Sequence, residues 1–227
     1  MIFQDPSGAL DPLMTVGKHF LELFKAHEPS LSPADAASKT KSLLEQLGIR
    51  AERYSDYPHQ LSGGMKQRVA IGLAIALGPR ILIADEPTTA LDVLVEAQIL
   101  ELLKELKKTF GLTLILITHN MGVVAETADR VAVMYAGKIV EVGETKDIFQ
   151  RALHPYTQAL LQSVPNLKKR HQPVKSIPGG PPDLAKPPKG CLFNPRCPYA
   201  FEKCLQGHPP LITVGEVRRV ACYLHGE

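Results

Sequence analysis

The chain has 227 residues, enough to bury one large hydrophobic core or two smaller ones. Its composition, with 44% hydrophobic and 22% charged residues, is that of a globular protein, and a net charge of only +3 gives no reason to expect a nucleic-acid partner. The longest apolar stretch, residues 69–78, is about half as long as a membrane span. No cationic start followed by a hydrophobic segment indicates a secretion signal. The absence of tryptophan disfavours a platform for stacking nucleic-acid bases.

The first third of the chain predicts helices joined by loops, over about residues 5–78. The best defined helix opens at Ser32, followed by Pro33, and stops at Gly48 after a stripe of leucines. Residues 61–68, Leu-Ser-Gly-Gly-Met-Lys-Gln-Arg, form a glycine turn that opens another helix over about 65–77. Glycines let backbone amides approach an anion, and a helix start is positively polarised, so this turn is a candidate phosphate contact. The hydroxyl of Ser62 can donate to a phosphate or simply cap the helix.

A buried strand follows this helix. Residues 81–84 are apolar without alternation, which is typical of a parallel strand covered on both faces. Asp85 and Glu86 follow at the carboxyl end of the strand, where open α/β sheets bind their ligands. Adjacent carboxylates repel each other, and a Mg²⁺ ion that carries a triphosphate would compensate their negative charge. One carboxylate would then bind the metal, and the other would orient the attacking water. For the Asp-Glu pair taken alone, an ordinary acidic surface loop is the alternative.

Strands and helices continue to alternate downstream, which predicts a parallel α/β sheet. A hairpin is expected at the edge of that sheet, with its turn at Gly137 and Lys138. The predicted elements are a helix over about 93–110 capped by Gly111, a strand over 112–118, a short helix, hairpin strands over 131–135 and 139–142, and a closing helix around 147–149.

Composition changes after Val164. Eleven of the 19 prolines lie between Pro165 and Pro210, so we expect this stretch to be non-helical and to wrap a surface. In a cytoplasmic chain, clustered cysteines favour a metal or an iron–sulfur cluster over disulfides. Their spacing lacks a Cys-x-x-Cys pair and matches no standard ferredoxin string, so the residues alone leave a ligated cofactor and unligated thiols equally open. The four cysteines, all in this tail, are Cys191, Cys197, Cys204 and Cys222.

Five motifs in a fixed order resemble the nucleotide-binding subunits of ABC transporters, over residues 1 to about 145. Residues 61–65 resemble the signature sequence, with Met65 where glutamine is commoner, and residues 81–86 resemble the second nucleotide-binding motif. The other three are residues 1–6 with the coupling glutamine, Ala90-Leu91-Asp92 in the following short loop, and residues 116–119 ending in the switch histidine. Asn120 stands where the family usually has aspartate.

The resemblance implies a role for each predicted site residue. Asp85 binds Mg²⁺, Glu86 is the general base, and His119 contacts the terminal phosphate. Gln4 senses the metal and the attacking water and faces the contact with the membrane domain. The nucleotide-binding residues are Ser62, Gly63, Gly64 and Asp92, of which the first three close over nucleotide held by an opposing subunit.

The tail resembles the C-terminal extension of oligopeptide and dipeptide importer ATPases, most of all that of the dipeptide-type D subunit. The agreement covers residues 154–161, His-Pro-Tyr-Thr-Gln-Ala-Leu-Leu, together with residues 190–191 and 194–198. In that family these cysteines can hold a [4Fe-4S] cluster, and four thiolates suit such a cluster chemically. The resemblance therefore implies a cluster on the four cysteines and a part for the extension in recognising the membrane partner.

We therefore expect an α/β fold, a partial ABC-type nucleotide-binding domain with a parallel sheet and a helical subdomain at about 5–78. The domain spans residues 1–150, and a proline-rich, cysteine-containing extension spans residues 151–227. The sequence contains no Gly-x-x-x-x-Gly-Lys-Ser/Thr phosphate loop, so it reads as an amino-terminally truncated subunit that hydrolyses ATP poorly or not at all by itself.

The complete subunit would bind ATP and Mg²⁺, pair with a second ATP-binding subunit, and power peptide import through membrane-domain subunits. It would sit peripherally at the cytoplasmic face of the cell membrane, with an extracytoplasmic peptide-binding protein as an indirect partner. The alternatives are a non-catalytic binding or regulatory module, a redox sensor governed by the cysteines, and the ATPase of an importer for nickel or another small solute.

Overall fold

The computed structural model describes residues 1–6, 8–89, 91–163 and 176–226. Contacts divide the chain into two compact units, Met1–His119 and Asn120–Glu227. The predicted loop residue Ala90 and the start of the proline-rich stretch, residues 165–175, lie outside the described residues. The boundary near residue 150 between a nucleotide-binding domain and an extension stays a prediction, because contact density defines compact units and says nothing of function.

Each α-helix of the first unit begins with a side-chain cap. A side-chain oxygen of Thr15, Ser32, Ser62 or Asp92 accepts a hydrogen bond from a backbone N–H of the first turn. The cap is needed because these N–H groups have no acceptor within the helix itself. The helices predicted after Ser32 and over 93–110 are confirmed, whereas the helix expected from residue 65 begins at Gly63, because both glycines form its first turn. The described helices are α1 (Val16–His27), α2 (Pro33–Gln46), α3 (Gly63–Ile75) and α4 (Val93–Phe110), with 3-10 helices at Ala51–Ser55 and Pro58–Gln60.

Side chains from the first three helices form much of the core of the first unit. Phe20, Leu44, Leu47 and Ile71 are completely buried. At Gly72 of α3, an added Cβ atom would come within 2.7 Å of Leu47 Cδ1, so only glycine lets α3 pack this closely. This packing fixes the start of α3, the serine–diglycine corner formed by Ser62, Gly63 and Gly64.

Two parallel strands lie beside these helices. Strands β1 (Ile81–Asp85) and β2 (Thr113–Ile117) pair in register, with Asp85 opposite Ile117. On the other side of β1, Ile2 forms a parallel bridge to Ala84: the Ile2 N–H donates to the Ile83 carbonyl (2.8 Å), and the Asp85 N–H donates to the Ile2 carbonyl (3.0 Å). The start of the chain is thereby brought to the carboxyl end of β1.

One face of this sheet is uncovered, which corrects the prediction of a strand buried on both faces. Leu82 and Ala84 are buried, but Ile81 is 59% exposed, and Ile115 and Ile117 of β2 are nearly half exposed. Alternate side chains of a strand point to opposite faces, so the described helices of the first unit cover only the Leu82 side. The unbroken apolar run still indicated a parallel strand correctly.

An antiparallel sheet organises the second unit. Its strand order is β3-β4-β6-β5, with β3 at one edge. The predicted hairpin is confirmed, although its turn lies at Ala136 and Gly137, whose φ angles are +49° and +77°, one residue before the expected position. The described elements are α5 (Met121–Thr127), β3 (Arg130–Tyr135), β4 (Lys138–Glu144), α6 (Thr145–Arg151), α7 (Pro155–Gln162), a 3-10 helix (Asn194–Arg196), α8 (Glu202–Gln206), β5 (Ile212–Val214) and β6 (Arg218–Val220).

The proline-rich stretch contains two short helices, so the expectation that it is non-helical is wrong in places. The one-turn helix α8 lies between Pro198 and Pro209, and Pro195 sits in the first turn of the 3-10 helix. Proline disrupts the interior of a helix but is compatible with its first turn. Single turns therefore fit between prolines that exclude longer helices.

A buried ion pair joins the strands of the second unit to the helices that follow β4. Glu141 Oε1 of β4 lies 2.7 Å from Arg218 Nη2 of β6, and the Glu141 side chain is completely buried. The same carboxylate accepts the backbone N–H groups of Leu153 (2.8 Å) and His154 (3.0 Å), while Arg218 also donates to the Arg151 carbonyl. One carboxylate thus fixes the turn that opens α7.

We predict that Arg218→Met destabilises the second unit by about 3–5 kcal/mol, because it leaves the Glu141 charge buried without its cation. Hydrogen exchange of peptides covering residues 138–155 measures the loss of protection. The neighbouring Arg219 is exposed, and Arg219→Met is the matched control, with an expected effect within about 0.5 kcal/mol. Equal protection in the two variants would contradict a stabilising role for the pair.

Candidate functional site

The carboxyl end of β1 presents two acids in different surroundings. Asp85 ends the strand, and within the described residues its carboxylate makes no hydrogen bond or ion pair. Glu86 follows with a φ of +46°, an unusual conformation for a residue with a side chain, and its N–H donates to the Ile117 carbonyl (2.9 Å). The backbone therefore turns sharply between the two acids, at the edge where parallel sheets bind ligands.

Glu86 is held by hydrogen bonds from two loops. His119 contacts Oε1 through both its backbone N–H (3.1 Å) and its ring Nδ1 (2.6 Å), and Thr89 Oγ1 donates to Oε2 (3.2 Å). A carboxylate has about four acceptor positions, so these three contacts leave about one for a further donor such as water. The hydrogen bond to Glu86, together with the charge of that carboxylate, raises the pKa of His119, whose side chain is largely exposed.

Gln4 lies at the same end of the sheet as these acids. The parallel bridge of Ile2 to Ala84 places Gln4 two residues further along, level with Glu86, and Gln4 is exposed. The structure thus brings Gln4, Asp85, Glu86 and His119 to one edge, as expected for residues that act on one ligand. Their individual roles stay predictions.

In the serine–diglycine corner, Ser62 and Gly63 are exposed and Gly64 is half-buried. Ser62 Oγ accepts the Met65 N–H (3.3 Å), so here the hydroxyl acts as a helix cap. A Cβ atom at Gly64 would lie 2.7 Å from Val95 Cγ1, so this glycine is required for packing. A Cβ atom at Gly63 would lie 3.8 Å from its nearest neighbour, which is ordinary van der Waals contact, so packing does not explain the glycine at position 63. Its lack of a side chain leaves the first amides of α3 open to an anion.

Asp92 lies next to this corner. Its Oδ1 accepts the Val95 N–H (3.0 Å) and caps α4, and Val95 is the residue that packs on Gly64. The starts of α3 and α4 are therefore side by side, and the four predicted nucleotide-binding residues form a second group. Among the described residues, no hydrogen bond or ion pair links this group to the Glu86–His119 pair.

Sequence reasoning missed the threonines that support the acidic edge. Thr89 donates to Glu86, and Thr88 Oγ1 donates to Glu96 Oε1 of α4 (3.1 Å). Two consecutive threonines directly after Asp-Glu-Pro were the available signal, because hydroxyls in such a turn commonly bond to nearby polar groups. Asn120, whose departure from aspartate was expected to weaken a loop contact, accepts the N–H groups of Gly122 and Val123 and caps α5. Asparagine caps a helix as well as aspartate does, so this departure from the family keeps the cap.

All four cysteines line one pocket in the second unit, together with His154 and apolar side chains such as Phe193. The Cys191 N–H donates to the Cys204 carbonyl (2.8 Å), and an added Cβ at Gly190 would lie 2.2 Å from that same oxygen. Glycine before Cys191 therefore allows the two cysteine-bearing segments to meet. The spacing of the cysteines in sequence gave no sign of this convergence.

The thiols of this pocket affect one another. Burial raises the pKa of Cys191 and Cys197 and raises that of Cys222 to about 11, and neighbouring thiols raise all three further, because adjacent thiolates repel. Nearby backbone N–H groups act in the opposite direction and lower each pKa: those of Phe193 and Asn194 for Cys191, that of Tyr199 for Cys197, and that of Leu224 for Cys222. Even so, no three His, Cys, Asp or Glu side chains among the described residues are grouped to hold a single metal ion.

His154 borders this pocket at the start of α7. Its ring Nδ1 accepts the Tyr156 N–H (3.0 Å) and caps the helix, and its own N–H donates to Glu141. Burial is the main reason that the pKa of His154 falls to about 4. His154 belongs to the matching string of residues 154–161, which by itself predicts no role for it.

Comparison with known families gives two matches. A family described as "ABC transporter" matches residues 1–89, which include Gln4, the serine–diglycine corner and both acids. A family described as "Oligopeptide/dipeptide transporter, C-terminal region" matches residues 140–204, which include His154 and three of the four cysteines.

A curated relative decides the assignment. The dipeptide transport ATP-binding protein DppD of Haemophilus influenzae is 52% identical over 225 residues, which cover 98% of this chain and 68% of that protein. The chain belongs to the ATP-binding subunits of oligopeptide and dipeptide ABC transporters. The family identified from the motifs is therefore confirmed, and so is its class as an ABC transporter ATPase.

Solved structures of ABC subunits share the fold. CbiO1 from Clostridium perfringens, part of an ABC transporter complex, has a TM-score of 0.57 and 32% identity, covering 66% of this chain and 58% of that chain. A dimeric ATP-binding cassette in a post-hydrolysis state, with ADP and phosphate bound, has a TM-score of 0.55 and 30% identity, covering 63% of this chain and 61% of its own. The α/β class is confirmed, and this chain spans less than two thirds of either structure. No described helix is long and apolar enough to cross a membrane.

We predict that Glu86→Gln lowers the pKa of His119, because the amide removes the charge and weakens the hydrogen bond that favours the imidazolium. NMR titration of the His119 C2 proton measures the change. Glu101 lies on α4 and is not among the groups that raise this pKa, so Glu101→Gln is a charge-matched control that should leave the titration unchanged. An unaltered His119 titration in the Glu86 variant would contradict the observed pairing.

Proposed function

We propose that this chain is part of the ATP-hydrolysing subunit of an importer for dipeptides or oligopeptides. The observation that carries the proposal is the Glu86–His119 pair at the carboxyl end of β1, in a chain half identical to a dipeptide transport ATP-binding protein. The subunit would bind the membrane-domain subunits at the cytoplasmic face of the membrane. An extracytoplasmic peptide-binding protein would be an indirect partner.

At the acidic edge, Glu86 orients and polarises the water that attacks the terminal phosphate. Its carboxylate is fixed by Thr89 and His119 and keeps about one acceptor position, which suits a group that must hold a water in line. His119 donates toward the terminal phosphate, and its raised pKa favours the charged form that would stabilise the developing negative charge. Gln4, at the same edge, contributes an amide to the water and the metal.

The open carboxylate of Asp85 fits a magnesium ion. It is a hard oxygen ligand at the ligand-binding edge of the sheet, and no described residue neutralises it. When bound with ATP, the ion would offset phosphate charge. Asp85 would hold that ion directly or through water. Glu86 would remain available to water, because its three hydrogen bonds leave about one acceptor position on its carboxylate.

The serine–diglycine corner binds a phosphate group of nucleotide held by a second ATP-binding subunit. Two helix starts lie side by side there, capped by Ser62 and Asp92, and Gly63 leaves the first amides accessible. The similar dimeric cassette solved with ADP and phosphate is consistent with paired subunits.

ATP hydrolysis requires a phosphate loop that residues 1–227 do not contain. We therefore expect these residues by themselves to act as a non-catalytic module, and to hydrolyse ATP once a phosphate loop is joined to them. The test compares ATP binding and phosphate release by the 227-residue chain and by the chain preceded by the corresponding first part of DppD from Haemophilus influenzae. Equal hydrolysis by both proteins would contradict the requirement for a phosphate loop.

In the extended protein, Glu86→Gln should lower turnover by about 10²–10⁴-fold while ATP binding persists, because only activation of water is lost. Glu101→Gln on α4 is the control and should keep full turnover. Normal hydrolysis by the Glu86 variant would refute its role as general base, whereas loss of ATP binding would point to a structural role.

We further propose that the cysteine pocket holds a [4Fe-4S] cluster. The proposal is supported by the match of residues 140–204 to the C-terminal family and by the four thiols that line one cavity, a donor set that suits such a cluster. Cys191, Cys197, Cys204 and Cys222 would hold the cluster, which would supply one-electron redox chemistry when bound.

Anaerobically purified protein should be brown and contain about four irons and four sulfides per chain. Cys204→Ser should remove most of this iron, because it deletes the buried ligand of the pocket. The exposed neighbour Leu205 provides the control, and Leu205→Ser should retain the iron. A colourless protein with stoichiometric zinc would contradict the cluster.

A further inference from the structure

The two oxygens of the Glu86 carboxylate have different numbers of partners. Oε1 accepts two hydrogen bonds from His119, one from the backbone N–H (3.1 Å) and one from ring Nδ1 (2.6 Å). Oε2 accepts one, from Thr89 Oγ1 (3.2 Å). Each carboxylate oxygen offers about two acceptor positions, so Oε1 is fully engaged and the open position of Glu86 is on Oε2.

The backbone around Glu86 holds this division in place. The Glu86 N–H donates to the Ile117 carbonyl (2.9 Å), two residues before His119, and the Thr89 N–H donates to the Glu86 carbonyl (3.1 Å). Main-chain bonds therefore fix both of the loops that supply donors to the carboxylate. The loop after β2 contacts one oxygen, and the turn of residues 86–89 contacts the other.

The hydroxyl of Thr89 lies beside the open position and can itself accept a hydrogen bond. A threonine hydroxyl has one proton, which Thr89 donates to Oε2, and its oxygen keeps its lone pairs. Among the described residues, no group donates to Thr89 Oγ1. Because Oγ1 and Oε2 are 3.2 Å apart, a water that donates to Oε2 can lie within hydrogen-bond distance of Oγ1 as well.

The neighbouring threonine has a different task. Thr88 Oγ1 donates to Glu96 Oε1 of α4 (3.1 Å), and the Leu91 N–H donates to the Thr88 carbonyl (3.3 Å). Thr88 thus ties the turn to α4, whereas the hydroxyl of Thr89 reaches the carboxylate of Glu86. Two chemically identical side chains are divided between support of the turn and contact with the base.

We propose that the water that attacks ATP binds between Oε2 of Glu86 and Oγ1 of Thr89, which makes Thr89 a further catalytic residue. The inference rests on the proposed role of Glu86 as general base. The water donates one hydrogen bond to Oε2 and the other to Oγ1, so a lone pair of its oxygen is free to attack. The water oxygen bonds to the terminal phosphorus while the bond from that phosphorus to the bridging oxygen breaks. The electron pair of the broken bond leaves with ADP, and the water proton on Oε2 passes to Glu86.

Two substitutions at position 89 separate the hydroxyl from the shape of the side chain. Thr89→Val replaces the hydroxyl by a methyl group, and Thr89→Ser keeps it. In the protein extended by the first part of DppD, Thr89→Val should lower kcat about tenfold, as is typical for loss of one hydrogen bond at a charged group, with the KM for ATP within about twofold. Thr89→Ser should keep kcat within about threefold of the wild-type value. The control is Thr113→Val, the same change at an exposed residue at the amino end of β2, which should leave both constants unchanged.

The position of the water can be observed directly, without any substitution. A crystal structure of the extended protein with ADP and aluminium fluoride, which mimics the phosphoryl group in transit, should place the attacking water within about 3.2 Å of both Oε2 and Oγ1. A water bound to Oε1, or one more than about 4 Å from Oγ1, would overturn the inference. A Thr89→Ser variant as slow as Thr89→Val would overturn it as well, because the hydroxyl would then not be the group that matters.

The 227-residue chain provides a test that needs no ATP. His119 contacts Oε1 and not Oε2, so in Thr89→Val the pKa of His119 should stay raised, and a fall to its ordinary range would contradict separate duties for the two oxygens. Unchanged kcat in Thr89→Val, with Glu86→Gln inactive, would overturn the inference and leave the proposed function standing. Normal hydrolysis by Glu86→Gln would refute the proposed function and the inference with it.

Discussion

Repulsion between neighbouring carboxylates is the constraint on which the candidate nucleotide site depends. Asp85 and Glu86 are adjacent in sequence, yet the backbone places them in different surroundings, at a cost on the order of 1–2 kcal/mol for the positive φ of Glu86. The sharp turn directs Glu86 to donors from Thr89 and His119 and leaves Asp85 without a described partner. Two identical functional groups thereby acquire different chemistry: one is held in place for water, and the other is open to a cation.

The sequence predicted most helices and strands because their signals are local. Ser32 and Asp92 cap helices within three residues of themselves, and Gly111 ends α4 in the left-handed conformation that glycine favours. Burial was harder to predict, since the exposure of Ile115 depends on what covers the sheet and not on the strand itself. The order of the motifs identified the acidic edge and the corner, but their contacts required coordinates: the bond between Glu86 and His119 spans 33 positions.

The second unit shows why long-range polar contacts escape sequence analysis. Glu141 and Arg218 lie 77 positions apart, and either residue alone would be read as an ordinary surface charge. In the fold, their pairing is what makes a buried carboxylate tolerable, and that carboxylate then supplies acceptors to two backbone amides ahead of α7. This arrangement also shapes the cysteine pocket, because His154 and the adjacent ring of Phe193 form part of the pocket wall.

The contact between Gly64 and Val95 has a mechanical consequence. A Cβ atom at Gly64 would lie 2.7 Å from Val95 Cγ1, so the backbone at the start of α3 packs directly on a side chain of α4. This contact resists a tilt of either helix start toward the other. A phosphate at the amides of α3 would therefore meet a start of α4, capped by Asp92, that is already held in place.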